Sequence, residues 1–187
     1  MSKVHRREKQ PELVRNTLIE QAARHAMQEG LAAVTLQSVA DAANVTKGGL
    51  LHHFPSKQAL IEAVFEDLLG TLDDEIERLI SVDPIEHGRF TRAYIDAFFK
   101  VTREGEKSPW AALSISCMTD AKLRMLWSDW MQERLRRHAA TDDAPHLALA
   151  RYAADGIWLA NITEISGLPA GKLDRLHHQL KTMTALE

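Results

Sequence analysis

Two short helical segments, residues 36–43 and 47–53, hold the residue types and spacing with the clearest chemical use. The link between them contains Asn44, which tolerates the left-handed backbone conformation of a tight turn. Ala40 is small enough for the two helices to cross closely, and Thr46 can cap the second helix. This spacing is typical of a helix-turn-helix, whose second helix fits the major groove of DNA. The alternative is an ordinary pair of packed helices in a bundle.

Polar side chains on and beside the second helix are the candidates for contact with DNA. Lys47 is the only cation of that helix, and its ammonium can bind a phosphate or a guanine edge. Lys57 opens the following helix, where its ammonium and the nearby backbone N–H groups can both face a phosphate. Gly48 and Gly49 leave the second helix poor in side chains, so recognition must also depend on DNA shape. The predicted DNA-binding residues are Gln37, Thr46, Lys47, Gly48, Gly49, His52 and Lys57.

The charge distribution agrees with a polyanion meeting this part of the chain. The net charge of the 187 residues is −3, but residues 1–60 hold eight Lys or Arg against five Asp or Glu, a net +3. The remainder carries 15 bases and 21 acids, a net −6. A basic module on an acidic body is expected to present its basic side to nucleic acid. Because +3 is modest, chance is the alternative.

Composition and sequence pattern predict an all-α fold that positions these residues. A hydrophobic content of 45% excludes a disordered chain, and no apolar run is long enough to span a membrane. We therefore expect a soluble, cytoplasmic protein. Prolines preceded by capping residues, as in Asp83-Pro84 and Ser108-Pro109, mark helix starts, while Gly30 and Gly167 mark stops. The predicted helices, about nine, span 11–29, 36–43, 47–53, 57–80, 84–104, 109–117, 120–140, 145–166 and 169–185.

The stretch TLQSVADAANVTKGGLLHHFPSKQAL, residues 35–60, resembles the N-terminal signature of TetR-type transcriptional regulators, and the resemblance covers residues 12–65. It implies a homodimeric repressor with a three-helix DNA-binding domain, here 1–56, and a six-helix effector and dimerisation domain, here 57–187. It also implies that a ligand of the second domain moves the first off its operator. Asn44 replaces the family's usual turn glycine. Leu51 stands where members usually carry a tyrosine that touches the DNA backbone, so that contact is not carried over.

The last two predicted helices favour a dimer interface. The helix 145–166 holds only Arg151, Asp155 and Glu164 as charges, and the first two can pair at i,i+4. A helix this apolar must be covered on more than one side. The following helix carries a narrow apolar seam at steps of three, four and three residues. The predicted interface residues are Leu173, Leu176, Leu180 and Met183. Packing of both helices within one monomer is the alternative.

Aromatic residues concentrate in the middle of the chain, at Tyr94, Phe98, Phe99, Trp110, Trp127, Trp130 and Trp158. Most such residues form core, but several together with the polar Asn161, Ser114 and Asp155 can line an apolar cavity. An aromatic cage for a cationic ligand is a further alternative. The predicted ligand-binding residues are Tyr94, Phe98, Trp110, Trp158 and Asn161.

No motif of the chain nominates an enzyme. It has no nucleophile elbow, no phosphate-binding glycine loop and no dinucleotide fingerprint, and its His-His doublets are adjacent instead of four residues apart. The single cysteine, Cys117, cannot form an intramolecular disulfide. We expect no cofactor, no metal and no catalysis; the predicted partners are an inverted-repeat duplex, a small-molecule effector and a second copy of the chain. A non-regulatory helical protein with a vestigial DNA module is the alternative.

Overall fold

The computed structural model describes residues 5–105, 108–163 and 167–185, and it contains no strand within them, which confirms the all-α prediction. Within these ranges, no helix combines the length and apolar character needed to cross a membrane. A short 3-10 turn covers Leu31–Ala33. The helices are α1 (His5–Glu29), α2 (Leu36–Ala42), α3 (Lys47–His53), α4 (Lys57–Val82), α5 (Arg89–Glu104), α6 (Pro109–Ser114), α7 (Ser116–Thr119), α8 (Ala121–Arg137), α9 (Ala139–Asp142), α10 (Pro145–Thr163) and α11 (Ala170–Met183).

Side-chain caps begin the helices of the N-terminal part. The Thr35 hydroxyl accepts a hydrogen bond from the backbone of Ser38 in the first turn of α2, at 3.0 Å. Asn44 has φ 54°, the left-handed turn conformation that the sequence predicted between α2 and α3. The Thr46 hydroxyl then accepts from the backbone N–H of Gly49 at 3.0 Å and begins α3. Such caps stabilise a helix by about 1 kcal/mol each, so the local sequence favours both boundaries.

A small apolar core holds α1, α2 and α3 together with the start of α4. Leu18, Val34, Val39, Ala40 and Leu50 are fully buried in it. Ala40 lies on the α2 face that packs against α3, and its small side chain permits the close approach of the two helices. The predicted helix-turn-helix geometry is therefore present in the fold.

The second part of the chain packs around α5. This helix contacts α4, α10 and α11, and it buries an apolar face that includes Phe90, Tyr94 and Phe99. The long helix α4 contacts α1 at one side and α5 and α8 at the other. Its buried face runs from Leu60 to Ile76, so one continuous helix joins the helix-turn-helix to the C-terminal helices.

Several predicted helix ends are wrong. Helix α1 starts at His5 and contains Pro11, and the segment predicted as 84–104 becomes helical only at Arg89. There one Asp83 oxygen accepts from the backbone N–H of Ile85 as a cap would, but Arg92 pairs with the other oxygen and also donates to the carbonyls of Ile85 and His87, so the segment after Pro84 is held in a turn by Arg92. The predicted segments 109–117 and 120–140 are each divided into two helices, α6 with α7 and α8 with α9.

The predicted dimer seam on α11 is largely covered within one protomer. Leu173 and Leu180 are each only 5% exposed within one protomer, and Leu176 and Met183 pack half-buried against the same core. Helix α11 packs on α5 and α10, and the apolar faces of these two helices cover its seam. This face of α11 therefore packs within the monomer, as the alternative interpretation expected.

Candidate nucleic-acid interface and interior cavity

The outer face of α3 carries most of the predicted DNA-binding residues. Thr46, Lys47, Gly48 and His52 are exposed, whereas Leu50 on the opposite face is fully buried. The cap by Thr46 occupies its hydroxyl oxygen as an acceptor, but the same hydroxyl keeps its proton for donation. The exposed positions of α3 therefore present an ammonium, an imidazole and a hydroxyl to solvent, all of them groups that bind phosphates and base edges.

The remaining predicted residues of this surface differ in how free they are. Gly49 is half-buried, and a Cβ added there would lie 3.3 Å from the Thr46 hydroxyl oxygen. Gln37 is exposed on α2, and its amide donates to the Asp41 carboxylate at 2.8 Å, which leaves its carbonyl oxygen as an acceptor. The apolar Leu51 is 39% exposed on α3.

Lys57 has an internal role that the sequence did not suggest. Its Nζ donates to the backbone carbonyls of Leu31 and Ala32, both at 3.2 Å. These bonds tie the first turn of α4 to the 3-10 turn that precedes α2. An ammonium has three N–H donors, so one is left for the predicted phosphate contact.

The C-terminal helices form a half-open cavity of about 370 Å³, bounded by residues of α4, α5, α6, α7, α8 and α10. Its walls are mainly aromatic and aliphatic, with Phe98, Trp110, Trp127 and Trp158 as the aromatic side chains and Leu72 and Val101 among the aliphatic ones. Phe98, Trp110 and Trp158 were predicted from the sequence. Trp127 was recognised only as one of a cluster, because the charged residues of α8 obscured which of its faces is covered.

Asp155 is the polar group inside this apolar lining. One of its carboxylate oxygens accepts a hydrogen bond from the Tyr94 hydroxyl at 2.5 Å. Burial raises the pKa of Asp155 to about 6, although the Tyr94 bond and the Arg151 charge act in the opposite direction. Burial and the neighbouring Asp155 charge raise the pKa of Tyr94 well above its ordinary value, so its phenol stays protonated. Tyr94, predicted as a wall residue, instead lies behind the carboxylate and positions it.

Arg151 and Asp155, which the sequence allowed to pair, form no direct ion pair among the described residues, although the Arg151 charge lowers the pKa of Asp155. The Arg151 guanidinium is buried and donates to the Thr91 hydroxyl and to the Asp142 carbonyl. These partners lie on α5 and α9, outside the cavity lining, and they satisfy the guanidinium there. Asp155 consequently lines the cavity without a cation beside it in the described part of the chain.

Asn161 does not line the cavity. Its amide donates to the Thr102 carbonyl at 3.0 Å and accepts from the backbone N–H of Leu168 at 2.8 Å. Both halves of the amide thus fix the end of α10 to α5 and to the loop after α10, which corrects its predicted role as a ligand contact. The side chain of Ser114, the third polar candidate, lies outside the described part of the structure.

A polar link runs from the cavity wall to the start of α4. Cys117 and Met118 line the cavity, and Asp120 follows them as the cap of α8. One carboxylate oxygen of Asp120 accepts from the backbone N–H of Lys122 in this cap. The other accepts from the side-chain amide of Gln58, in the first turn of α4, at 3.1 Å. Gln58 follows Lys57, which holds the 3-10 turn. One hydrogen bond therefore connects the cavity wall to the base of the helix-turn-helix.

A second link between α8 and α4 is ionic and buried. The Arg134 guanidinium, 2% exposed, pairs with the carboxylates of Asp73 and Glu77. The indole N–H of Trp130 donates to Asp73 at 2.9 Å. Because the guanidinium is buried and would be left unpaired if both carboxylates were removed, these contacts hold α8 on the distal half of α4.

One face of α10 is apolar and uncovered in the protomer. Leu149 is 60% exposed, Tyr152 71% and Leu159 38%, and their spacing places them on one side of the helix. Gly156 lies between them, and a Cβ added there would meet no atom within 4 Å. We call Leu149, Tyr152, Gly156 and Leu159 the α10 stripe. The sequence indicated that α10 needs cover on two sides, and the structure leaves this side open.

Two sequence profiles match the chain. The profile described as "Bacterial regulatory proteins, tetR family" matches residues 18–64. The profile described as "Tetracyclin repressor-like, C-terminal domain" matches residues 88–185. The first match includes both helices of the helix-turn-helix, and the second runs from the turn before α5 beyond the end of α11.

Individual proteins resemble the chain over most of its length. The transcriptional regulator BetI of Burkholderia ambifaria is 32% identical over 160 residues, which cover 79% of this chain and 81% of BetI. The transcriptional repressor KstR2 of Mycolicibacterium smegmatis is 24% identical over 164 residues, 81% of this chain and 79% of KstR2. The solved structure of the multidrug binding protein EbrR complexed with malachite green has the same fold, with a TM-score of 0.71 and 19% identity over 92% of this chain and 98% of EbrR.

Proposed function

The chain belongs to the TetR family of bacterial regulatory proteins, whose members are DNA-binding transcriptional regulators, and we propose that it acts as a homodimeric repressor released from its operator by a small, mostly apolar ligand. The observation that carries the proposal is the presence of an exposed, capped α3 together with a half-open aromatic cavity, joined through the Gln58–Asp120 hydrogen bond. We propose that the protein works in the cytoplasm and catalyses no reaction.

For DNA binding, α3 enters the major groove with its exposed face. Lys47 contacts a phosphate or a guanine edge, His52 donates to a phosphate or a base, and Thr46 donates from its hydroxyl. Gln37 offers its free amide oxygen from α2. The glycines at 48 and 49 let the backbone of α3 approach the groove closely. Lys57 acts mainly by holding the 3-10 turn and adds at most one phosphate contact.

For dimerisation, the α10 stripe meets the same stripe of a second copy. An isologous two-fold contact places like residues against like, and the gap at Gly156 gives room for a large partner side chain such as Tyr152. The exposed apolar surface of the stripe supplies the free energy that a dimer requires. A two-fold dimer then meets an operator with two-fold symmetry, its half-sites one helical turn or a multiple of it apart, about 34 Å.

For release, a ligand in the cavity displaces the α7–α8 junction. Asp120 moves with this junction and pulls on Gln58, which changes the direction of α4 at the base of the helix-turn-helix. The ligand weakens DNA binding only by as much as it prefers the DNA-incompetent arrangement, typically about 1–3 kcal/mol of coupling. EbrR, which shares the fold, binds malachite green, and this supports a small-molecule effector here.

Selection of duplexes from a random library by the purified protein tests the proposal. We expect enrichment of an inverted repeat, with affinity that falls steeply as salt rises because phosphate contacts release counterions. Enrichment of no sequence, together with no salt-dependent retention of any duplex, would contradict it and favour the vestigial DNA module.

A further inference from the structure

We propose that the effector is an organic cation, an ammonium or similar group joined to an apolar body, whose charge is recognised by Asp155 and the aromatic walls of the cavity. The inference rests on the proposed function, because it names the chemical class of the ligand that this same cavity takes. It goes beyond the expectation of a mostly apolar ligand.

The aromatic walls are arranged as a cage. The ring of Trp127 lies edge-to-face against Phe98 and against Trp110, with ring centroids 6.0 Å apart in both pairs. The two interplanar angles, 70° and 84°, turn neighbouring rings to face different directions. Trp158 lines the same cavity from α10. Several ring faces around one space attract a cation electrostatically, and Trp faces do so most strongly.

The Asp155 carboxylate supplies a negative charge that forms no direct ion pair among the described residues, although the Arg151 charge acts on it through space. In the described part of the chain, the Tyr94 hydroxyl is its hydrogen-bond partner, and Arg151 binds Thr91 and Asp142 instead. A carboxylate in an apolar lining is costly unless it is paired. The partner that this cavity lacks is a cation, which a ligand can bring.

Arg124 is the other charged residue of the cavity lining, and its positive charge would favour an anionic ligand instead. Its side chain is exposed and donates to the Met118 carbonyl at 3.1 Å, so it lies at the mouth, where water and salt screen its charge. Asp155 lies deeper and is screened less. The arrangement therefore selects positive charge inside and tolerates a polar tail at the mouth.

Three probes of similar shape but different charge test the inference. Phenyltrimethylammonium is a cation, tert-butylbenzene is its neutral isostere, and 4-tert-butylbenzoate is an anion. Each is small enough for a cavity of about 370 Å³. Binding to the purified wild-type protein, without DNA, is followed by quenching of tryptophan fluorescence and by calorimetry, because three tryptophans line the cavity.

Two variants assign the selectivity. Asp155→Asn keeps an oxygen for the Tyr94 hydroxyl but removes the charge, and Trp127→Leu removes one ring of the cage. Asp129→Asn is the matched control, since it makes the same change at an exposed position of α8. Thermal unfolding of each variant verifies that it is folded before binding is compared.

We expect the wild type and Asp129→Asn to bind phenyltrimethylammonium at least tenfold more tightly than tert-butylbenzene. Asp155→Asn should lose most of this preference, and Trp127→Leu should weaken the cation more than the neutral probe. Equal or tighter binding of the neutral probe, tighter binding of the anion, binding of no probe, or an unchanged preference in Asp155→Asn would each overturn the inference. Because the assay contains no DNA, its failure is distinct from failure of the proposed function, which the duplex selection tests separately.

Discussion

Burial in the cavity wall shifts the pKa values of two ionisable residues, Cys117 and Asp155, and the sequence alone does not predict these shifts. Burial raises the pKa of Cys117 to about 11, with a contribution from the nearby Asp120 charge, so the thiol is protonated and unreactive at neutral pH. Burial raises the pKa of Asp155 to about 6, so this side chain is largely ionised at pH 7.5. Cys117 is therefore an apolar wall residue, whereas Asp155 brings a charge into the same space.

We predict that Asp155→Asn stabilises the ligand-free protein at pH 8 and not at pH 3. The pKa of Asp155 is about 6 in the fold against 3.8 ordinarily, so the ionised form costs stability. Below both values there is no cost; it grows as the pH rises between them and is complete above the higher one. The gain at pH 8 should be on the order of 1–2 kcal/mol, allowing for partial solvation.

Urea denaturation of wild type, Asp155→Asn and the exposed control Asp129→Asn at both pH values measures this difference. The control should match the wild type at both. An Asp155→Asn protein that is no more stable than wild type at pH 8 would show that Asp155 bears no burial cost.

We predict that Lys57→Met lowers the free energy of unfolding by about 1 kcal/mol or more. It removes the two hydrogen bonds to Leu31 and Ala32 and leaves those carbonyls without their charged donor. Urea denaturation in the absence of DNA measures the loss, with the exposed Lys172→Met as the matched control. Unchanged stability combined with weaker DNA binding would assign Lys57 to phosphate contact alone.

At the scale of helices, the sequence predicted well where the determinants are local. Asn44 and Thr46 fix the turn and the start of α3 through bonds within a few residues, so their types and spacing were sufficient. Asp83 misled because Arg92, nine residues away, pairs with one of its carboxylate oxygens and binds the Ile85 carbonyl, which holds the segment in a turn. The seam of α11 could be recognised, but its direction depends on the position of α5, which no local pattern encodes.

For the cavity too, the sequence predicted the residues that local spacing determines and missed those that depend on distant partners. Aromatic type and helical spacing identified Phe98, Trp110 and Trp158, because large rings at such spacing lie on a covered face. Asn161 resembled a polar anchor, but its partners Thr102 and Leu168 are known only once α10 is placed on α5.

We predict that Gln58→Ala reduces the effect of the ligand on DNA while leaving both separate affinities nearly unchanged. The substitution removes the hydrogen bond to Asp120 and touches neither the cavity lining nor the exposed face of α3. Operator affinity is measured with and without saturating phenyltrimethylammonium, and the fold-change should be at least three times smaller than in wild type. A wild-type fold-change in Gln58→Ala would place the coupling elsewhere, for example in the Arg134–Asp73 contact.

For the whole molecule, the α10 stripe connects oligomeric state with ligand access. Gly156 and Leu159 belong to the stripe and also border the cavity, where the exposed Met118 and Arg124 mark its mouth. A second copy seated on the stripe would therefore lie beside the ligand's entrance. In the proposed dimer, α10 thus has two functions. It forms the two-fold contact that matches the symmetry of the operator, and its own residues border the cavity.

We predict that Tyr152→Glu converts the dimer into a monomer. The change places a charge at the centre of an apolar contact, where it would be buried without a partner. Sedimentation at micromolar concentration measures the state, and Ile85→Glu, which alters an apolar residue 61% exposed outside the stripe, is the control that should stay dimeric. A Tyr152→Glu dimer, or a wild-type monomer, would contradict the proposed interface.

The most direct test of the account is the affinity of α3 variants for the selected inverted repeat, measured by fluorescence anisotropy over a series of salt concentrations. Lys47→Ala removes the ammonium, and Gly48→Glu adds a negative charge to the exposed face where an added Cβ has only ordinary contact at 4.0 Å. We predict that both weaken binding, Lys47→Ala by at least tenfold, with the salt slope lowered by about one unit if Lys47 contacts a phosphate. The exposed control Lys172→Ala should bind as wild type does. Unchanged affinity in both Lys47→Ala and Gly48→Glu would contradict the claim that α3 reads DNA.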